Sequence, residues 1–168
     1  AHLSEKELPL FLFALSEYKH ASPVILMAAK LLIITGVRTG ELRGAEWIEF
    51  DLDSRVWEIP AERMKKRKSH LVPLSTQAIE ILRQLHEYTG SYKLAFPGRN
   101  NPSKPISEVT IVRMFERMGY KGKVTGHGFR HTMSTILHEH GFNTAHIELQ
   151  LAHVDKNSIR GTYNHALY

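Results

Sequence analysis

Ile48-Glu49-Phe50-Asp51-Leu52-Asp53-Ser54-Arg55-Val56-Trp57-Glu58-Ile59 is the stretch where the pattern of the chain changes. Ile48 to Phe50 and Arg55 to Ile59 are rich in β-branched and aromatic residues, and Asp51-Leu52-Asp53-Ser54 between them supplies turn formers. A third strand is expected from His70 to Leu74, after the basic stretch Arg63 to Lys68. On both sides of this segment the apolar spacing is helical. The reading is an α+β domain, mainly α-helical, with a small three-stranded antiparallel sheet at its edge.

Working upstream, Ser4 and Glu7 resemble a capping box, while Pro9 moves the expected helix start to about Leu8. Leu8, Phe11, Leu12 and Leu15 then form an apolar face. Ser22-Pro23 starts a second helix and Gly36 stops it, and the nearly continuous apolar run between them predicts a buried helix. Downstream, Ser75 caps a helix with Ala78, Ile79, Leu82 and Leu85 facing inward, and Phe96 to Pro105 reads as a loop. Further helices are predicted over Ser107–Met118, Gly126–His140 and Thr144–Ala152, with a last one from Asn157.

Composition sets bounds on function. The 168 residues, 42% hydrophobic and 23% charged, suit one globular domain with a full core. The longest apolar stretch, Val24 to Ile34, is interrupted by Lys30 and is too short to span a bilayer, and no secretory signal is recognisable. Cysteine is absent, which excludes disulfides and thiolate zinc sites and fits a reducing cytoplasm. A net charge of +5 suits a nucleic-acid partner, but equally suits ordinary solubility.

Three phrases contain residues suited to chemistry. Thr35-Gly36-Val37-Arg38-Thr39-Gly40-Glu41-Leu42 places an arginine between two glycines at the end of the buried helix, with Glu41 three residues on to fix the guanidinium. Taken alone it is better explained by a plain helix C-cap with a surface arginine. His127-Gly128-Phe129-Arg130-His131 sets a histidine and an arginine on one side of a helix start, where unpaired N–H groups favour phosphate; solvent-exposed polar residues on a capped helix are the plain alternative. Leu151-Ala152-His153 is followed ten residues later by Tyr163, and either residue by itself is more often structural.

In order, Arg38, Lys65, His127-x-x-Arg130, His153 and Tyr163 resemble the signature of the phage integrase family of tyrosine recombinases. The resemblance runs through Thr35–Arg43, Val72–Ser75, His127–His131 and Leu151–His165, and is strongest to integrases of temperate phages and genomic islands. It implies a site-specific DNA recombinase that integrates or excises a mobile element through a 3′-phosphotyrosine intermediate. In that reading Tyr163 is the nucleophile, Arg38 and Arg130 hold the non-bridging oxygens, and His127 is the base. His153 donates to the phosphate, Lys65 is the general acid, and Glu41 supports Arg38. Lys65 is chosen because the family's lysine lies seven residues before the valine of a Val-Pro-Leu run, here Val72. Lys66 and Lys68 are then expected to contact the DNA backbone or to remain solvated.

The resemblance further implies a double-stranded DNA attachment site as substrate, a homotetramer on DNA, DNA-bending accessory proteins, and a cytoplasmic, nucleoid-associated location. Neither a nucleoside triphosphate nor any metal or other cofactor is expected. No Gly-x-x-x-x-Gly-Lys-Ser/Thr loop is present, and the pairs His127/His131 and His138/His140 lack a His-Glu-x-x-His motif or a third ligand. Residues 1–168 read as one catalytic domain, with the family's N-terminal core-binding domain and C-terminal tail expected to be missing. A type IB topoisomerase is the rival enzyme, and a DNA-binding module that no longer cleaves is the rival outside catalysis.

Overall fold

The computed structural model describes residues 7–122. In this part of the chain five helices surround a core and a three-stranded antiparallel sheet lies beside them. The helices are α1 (Glu7–Glu17), α2 (Pro23–Thr35), α3 (Thr39–Arg43), α4 (Thr76–Thr89) and α5 (Glu108–Arg117). The strands are β1 (Phe50–Asp51), β2 (Val56–Ile59) and β3 (His70–Pro73), in spatial order β1-β2-β3. The predicted helices beyond residue 122 lie outside the described residues.

Serine caps start three of the helices. Ser22 Oγ accepts from the Ile25 N–H at 3.2 Å, Ser75 Oγ from Ala78 at 3.2 Å, and Ser107 Oγ from Val109 at 3.4 Å. Gly36 ends α2 in the left-handed region (φ 67°) and returns its N–H to the Leu32 carbonyl at 3.0 Å. The core gathers Phe11 and Leu15 of α1, Ala28, Leu31 and Leu32 of α2, Leu82 and Leu85 of α4, and Ile111, Met114 and Phe115 of α5. Phe11 meets Phe115 and Tyr120 edge-on, with ring centroids 5.2 and 5.0 Å apart.

The sheet register pairs Trp57 with Val72 and Glu58 with Leu71. Because side chains alternate along a strand, Trp57 and Val72 enter the core together while Glu58 and Leu71 face outward. Phe50 stacks on Trp57, centroids 5.1 Å apart. In the β1–β2 turn, the Ser54 N–H donates to Asp51 Oδ1 at 3.0 Å. That bond holds the Asp51 carboxyl below its ordinary value.

The first strand is shorter than its sequence suggests. Ile48 and Glu49 are not extended; Trp47–Glu49 forms a 3₁₀ turn and pairing begins at Phe50. Two bonds pull this segment back against the end of α4: Trp47 Nε1–H to the Thr89 carbonyl and the Trp47 N–H to the Lys93 carbonyl, each 3.0 Å. Glu49 thereby turns inward and Ile48 outward.

Candidate active site and the basic turn

Arg38 stands where α2 gives way to α3. Gly36 reverses the chain, Val37 is buried as an anchor, and Arg38 takes the extended N-cap position of α3 (φ −72°, ψ 150°). Arginine has no acceptor for a cap, so Glu41 supplies the bond instead: its Oε1 accepts the Arg38 backbone N–H at 3.0 Å. Glu41 Oε2 lies 4.0 Å from the guanidinium, at the edge of ion-pair distance. The Glu41 side chain is 6% exposed and that of Arg38 is 44% exposed. The carboxylate therefore fixes the main chain under Arg38 and leaves the guanidinium fork open to a ligand. Replacing Gly36 by alanine would force a Cβ into the left-handed region; a loss of about 1–2 kcal/mol in denaturant unfolding is expected, together with a displaced Arg38.

Lys65 lies on the connection between β2 and β3. Pro60 leads into a 3₁₀ turn over Ala61–Arg63, and the Arg67 N–H then bonds the Met64 carbonyl at 3.0 Å to close a second turn around Lys65 and Lys66. Arg67 completes it with φ 56°. Lys65, Lys66, Arg67 and Lys68 are all exposed. Among the described residues no carboxylate pairs with any of the four. Consecutive like charges without counter-charges repel one another and are eased by a polyanion. Arg67 belongs to this group although sequence reasoning singled out only the lysines.

Arg63 begins the same basic stretch but has a different role. Its Nε donates to Glu49 Oε2 at 2.8 Å and its Nη2 to Glu49 Oε1 at 2.8 Å, a bidentate pair. Nη2 also donates to the Glu41 carbonyl on α3 at 3.0 Å, and Trp57 Nε1–H donates to Glu49 Oε1 at 3.0 Å. The Glu49 and Arg63 side chains are only 4% and 18% exposed. The buried Glu49–Arg63 pair thus joins the 3₁₀ turn before β1, strand β2, the lysine turn and helix α3, which Arg38 caps. Arg43 ties α3 on its other side, donating from Nε to the Ile106 carbonyl at 2.8 Å. Neither Glu49 nor Arg63 was singled out in the sequence; the only signal was an arginine and a glutamate flanking a tryptophan strand.

Arg38, Glu41 and the turn that carries Lys65, Lys66 and Lys68 are therefore linked through one network. His127, Arg130, His153 and Tyr163 lie outside the described residues, as do His131, His138 and His140. Among the described residues no three His, Cys, Asp or Glu side chains converge as a metal-binding group.

Residues 2–168 match the model of the phage integrase family. The integrase of Shigella phage Sf6 is 43% identical over 167 residues, covering 99% of this chain and 43% of that protein. The prophage integrase IntS of Escherichia coli (strain K12) is 42% identical over 167 residues, with the same coverages of 99% and 43%. The chain thus spans about two fifths of the length of these relatives. Among solved structures, the XerH site-specific recombinase bound to its difH substrate in a pre-cleavage complex superimposes with a TM-score of 0.73 at 22% identity, covering 95% of this chain and 49% of that one. The XerA recombinase superimposes with a TM-score of 0.69 at 22% identity, covering 99% and 63%. The described architecture, helices around a core with a three-stranded edge sheet, is thus a tyrosine-recombinase fold. By the match along almost its whole length and by its identity to these integrases, the chain belongs to the phage integrase family.

Proposed function

We propose that this chain is the strand-cleaving and strand-joining part of a site-specific DNA recombinase, acting on double-stranded attachment sites. The observation that carries this reading is the linkage of an open arginine fork at the head of α3 to an exposed, uncompensated lysine turn through one buried ion pair. Such a pairing suits a phosphodiester, which needs charge neutralised on its oxygens and a proton delivered to the leaving oxygen.

In the proposed reaction the Tyr163 phenolic oxygen attacks the scissile phosphorus in line. The P–O5′ bond breaks, leaving a 3′-phosphotyrosine and a 5′-hydroxyl. Arg38 and Arg130 hold the two non-bridging oxygens, where planar forks bind a growing charge best. Free tyrosine ionises near pH 10, so a base, His127, takes its proton. Lys65 gives a proton to the departing 5′-oxygen, and His153 donates a hydrogen bond to the phosphate. The phosphotyrosine keeps the ester energy, so attack by a partner strand's 5′-hydroxyl reverses the step without a nucleoside triphosphate or a metal. Lys66 and Lys68 bind backbone phosphates. Exchange of two duplexes calls for a homotetramer on DNA with DNA-bending accessory proteins, in the cytoplasm at the nucleoid. No helix among the described residues is long and apolar enough to cross a membrane.

The test is a nicked suicide substrate carrying the native attachment site, incubated with the intact protein and a chelator. A denaturant-resistant protein–DNA adduct is expected, absent in Tyr163→Phe and strongly reduced in Arg130→Ala. Specific binding without any adduct would instead make the protein a non-cleaving DNA-binding module. A milder expectation concerns the turn: Lys66→Ala and Lys68→Ala should each lower the slope of log affinity against log salt by about one, as a lost phosphate contact does, with little change in sequence preference. Unchanged slopes in a salt titration would remove both lysines from the interface.

A further inference from the structure

We propose that Arg63 is the positioning residue for the Lys65 turn: it holds that turn in register with the Arg38 helix and so sets where the leaving-group proton is delivered. The inference rests on the reading of Lys65 as general acid, and adds to it a mostly buried residue whose guanidinium is engaged by the protein itself. Three observations support it. Arg63 sits two residues before Lys65, at the end of the 3₁₀ turn that launches the exposed loop. Its guanidinium is held at three points, twice by Glu49 and once by the Glu41 carbonyl, while the exposed Lys65 side chain meets no hydrogen-bond or ion-pair partner among the described residues. The third is steric. A Cβ on Gly44, at the end of α3, would lie 2.5 Å from Arg63 Nη1, so the glycine leaves room for the guanidinium to lie against α3.

The arrangement also explains the choice of arginine. Lysine at position 63 would keep the charge but could not span both Glu49 oxygens and the Glu41 carbonyl with a rigid fork. The turn would then be held by its own backbone bond from Arg67 to Met64 and no longer against α3. A displacement of about 1 Å at a reacting group is enough to lower a rate about 100-fold, within the 10²–10⁴-fold that general acid catalysis typically supplies.

The experiment separates proton delivery from every other role. Single-turnover cleavage is measured with the intact protein on two otherwise identical DNA substrates. One carries the ordinary 5′-oxygen at the scissile phosphate and the other carries sulfur there. A thiol ionises near pH 8.5, so the thiolate departs without a proton. Arg63→Lys is expected to cleave the oxygen substrate about 100-fold more slowly and the sulfur substrate at close to the wild-type rate. Gly44→Ala, which crowds the guanidinium without removing it, is expected to show the same selective loss, and it carries the test if Arg63→Lys fails to fold. Equal losses on both substrates, or wild-type rates on both, would overturn the positioning role. Lys65→Ala is the control for the underlying reading: a loss that sulfur does not rescue would show that Lys65 is not the general acid, and the proposal for Arg63 would fall with it. Rescue of Lys65→Ala without rescue of either Arg63→Lys or Gly44→Ala would keep the general acid and reject only the positioning residue.

Discussion

Arg38→Ala is expected to slow strand cleavage by about 10²–10³-fold, the range seen when one preorganised donor to a developing oxyanion is removed, while the unfolding free energy stays within about 0.5 kcal/mol of wild type. The two halves of this expectation come from the same geometry. The guanidinium is 44% exposed and only 4.0 Å from Glu41 at its nearest, so little of the fold depends on it. The bonds that hold α3 in place, the Arg38 main-chain N–H on Glu41, Arg63 on the Glu41 carbonyl and Arg43 on the Ile106 carbonyl, are all retained in the alanine variant. Overall DNA affinity should fall modestly, because one phosphate contact among many is lost. Arg38→Lys should recover only part of the rate, since an ammonium is a point charge and not a fork. Single-turnover kinetics and thermal unfolding on the same preparations decide the matter. A melting temperature that falls by many degrees with the activity would mean that Arg38 is structural and that the open fork is not the phosphate ligand.

Much of this frame is legible in the sequence because local rules govern it. Ser22 and Ser75 announce helix starts by chemistry confined to the next three residues, and each makes the expected bond; Ser107, read only as the start of its helix, caps it in the same way. Gly36 announces a stop because only a residue without a Cβ takes φ 67° at no strain. Ala78, Ile79, Leu82 and Leu85 are buried as their spacing requires. The short helix α3 is different. Five residues are too few to show a period, and Gly40 within it argues against a helix, so the segment reads as a turn. Ile48 and Glu49 fail as a strand for a tertiary reason. Their composition suits β structure, but the bonds of Trp47 to Thr89 and Lys93 come from residues about forty positions away.

The candidate site divides along the same line. The setting of Arg38 between Gly36 and Gly40 is visible locally. Which lysine of the basic run matters is not, because Lys65, Lys66 and Lys68 are all exposed, and the assignment leans on spacing to Val72 within the family pattern. The network behind them is invisible in one dimension. A buried Glu49 is acceptable only because Arg63, fourteen positions on, and Trp57 both reach it, and no periodicity encodes such a pairing.

That dependence predicts a large loss of stability when one partner is removed. Glu49→Leu leaves the Arg63 guanidinium in a mostly buried place without its carboxylate, and leaves the Trp57 Nε1–H without an acceptor. Breaking one side of a buried pair typically costs about 3–5 kcal/mol. For a domain of this size that corresponds to a melting temperature lower by roughly 6–20 °C. The double variant Glu49→Leu with Arg63→Met should be more stable than Glu49→Leu alone, because the second change removes the stranded charge. Its cleavage of the oxygen substrate should nevertheless remain low, since the tether between the Lys65 turn and α3 is gone in both. Thermal and denaturant unfolding of the four proteins in the cycle give the coupling energy directly. Additive effects would mean that Glu49 and Arg63 act independently, and stability could then no longer be separated from the placement of the lysine. If stability recovers while activity does not, the pair serves the geometry of the site more than the strength of the fold. The buried ion pair would then be retained for register, at a stability that apolar residues could match.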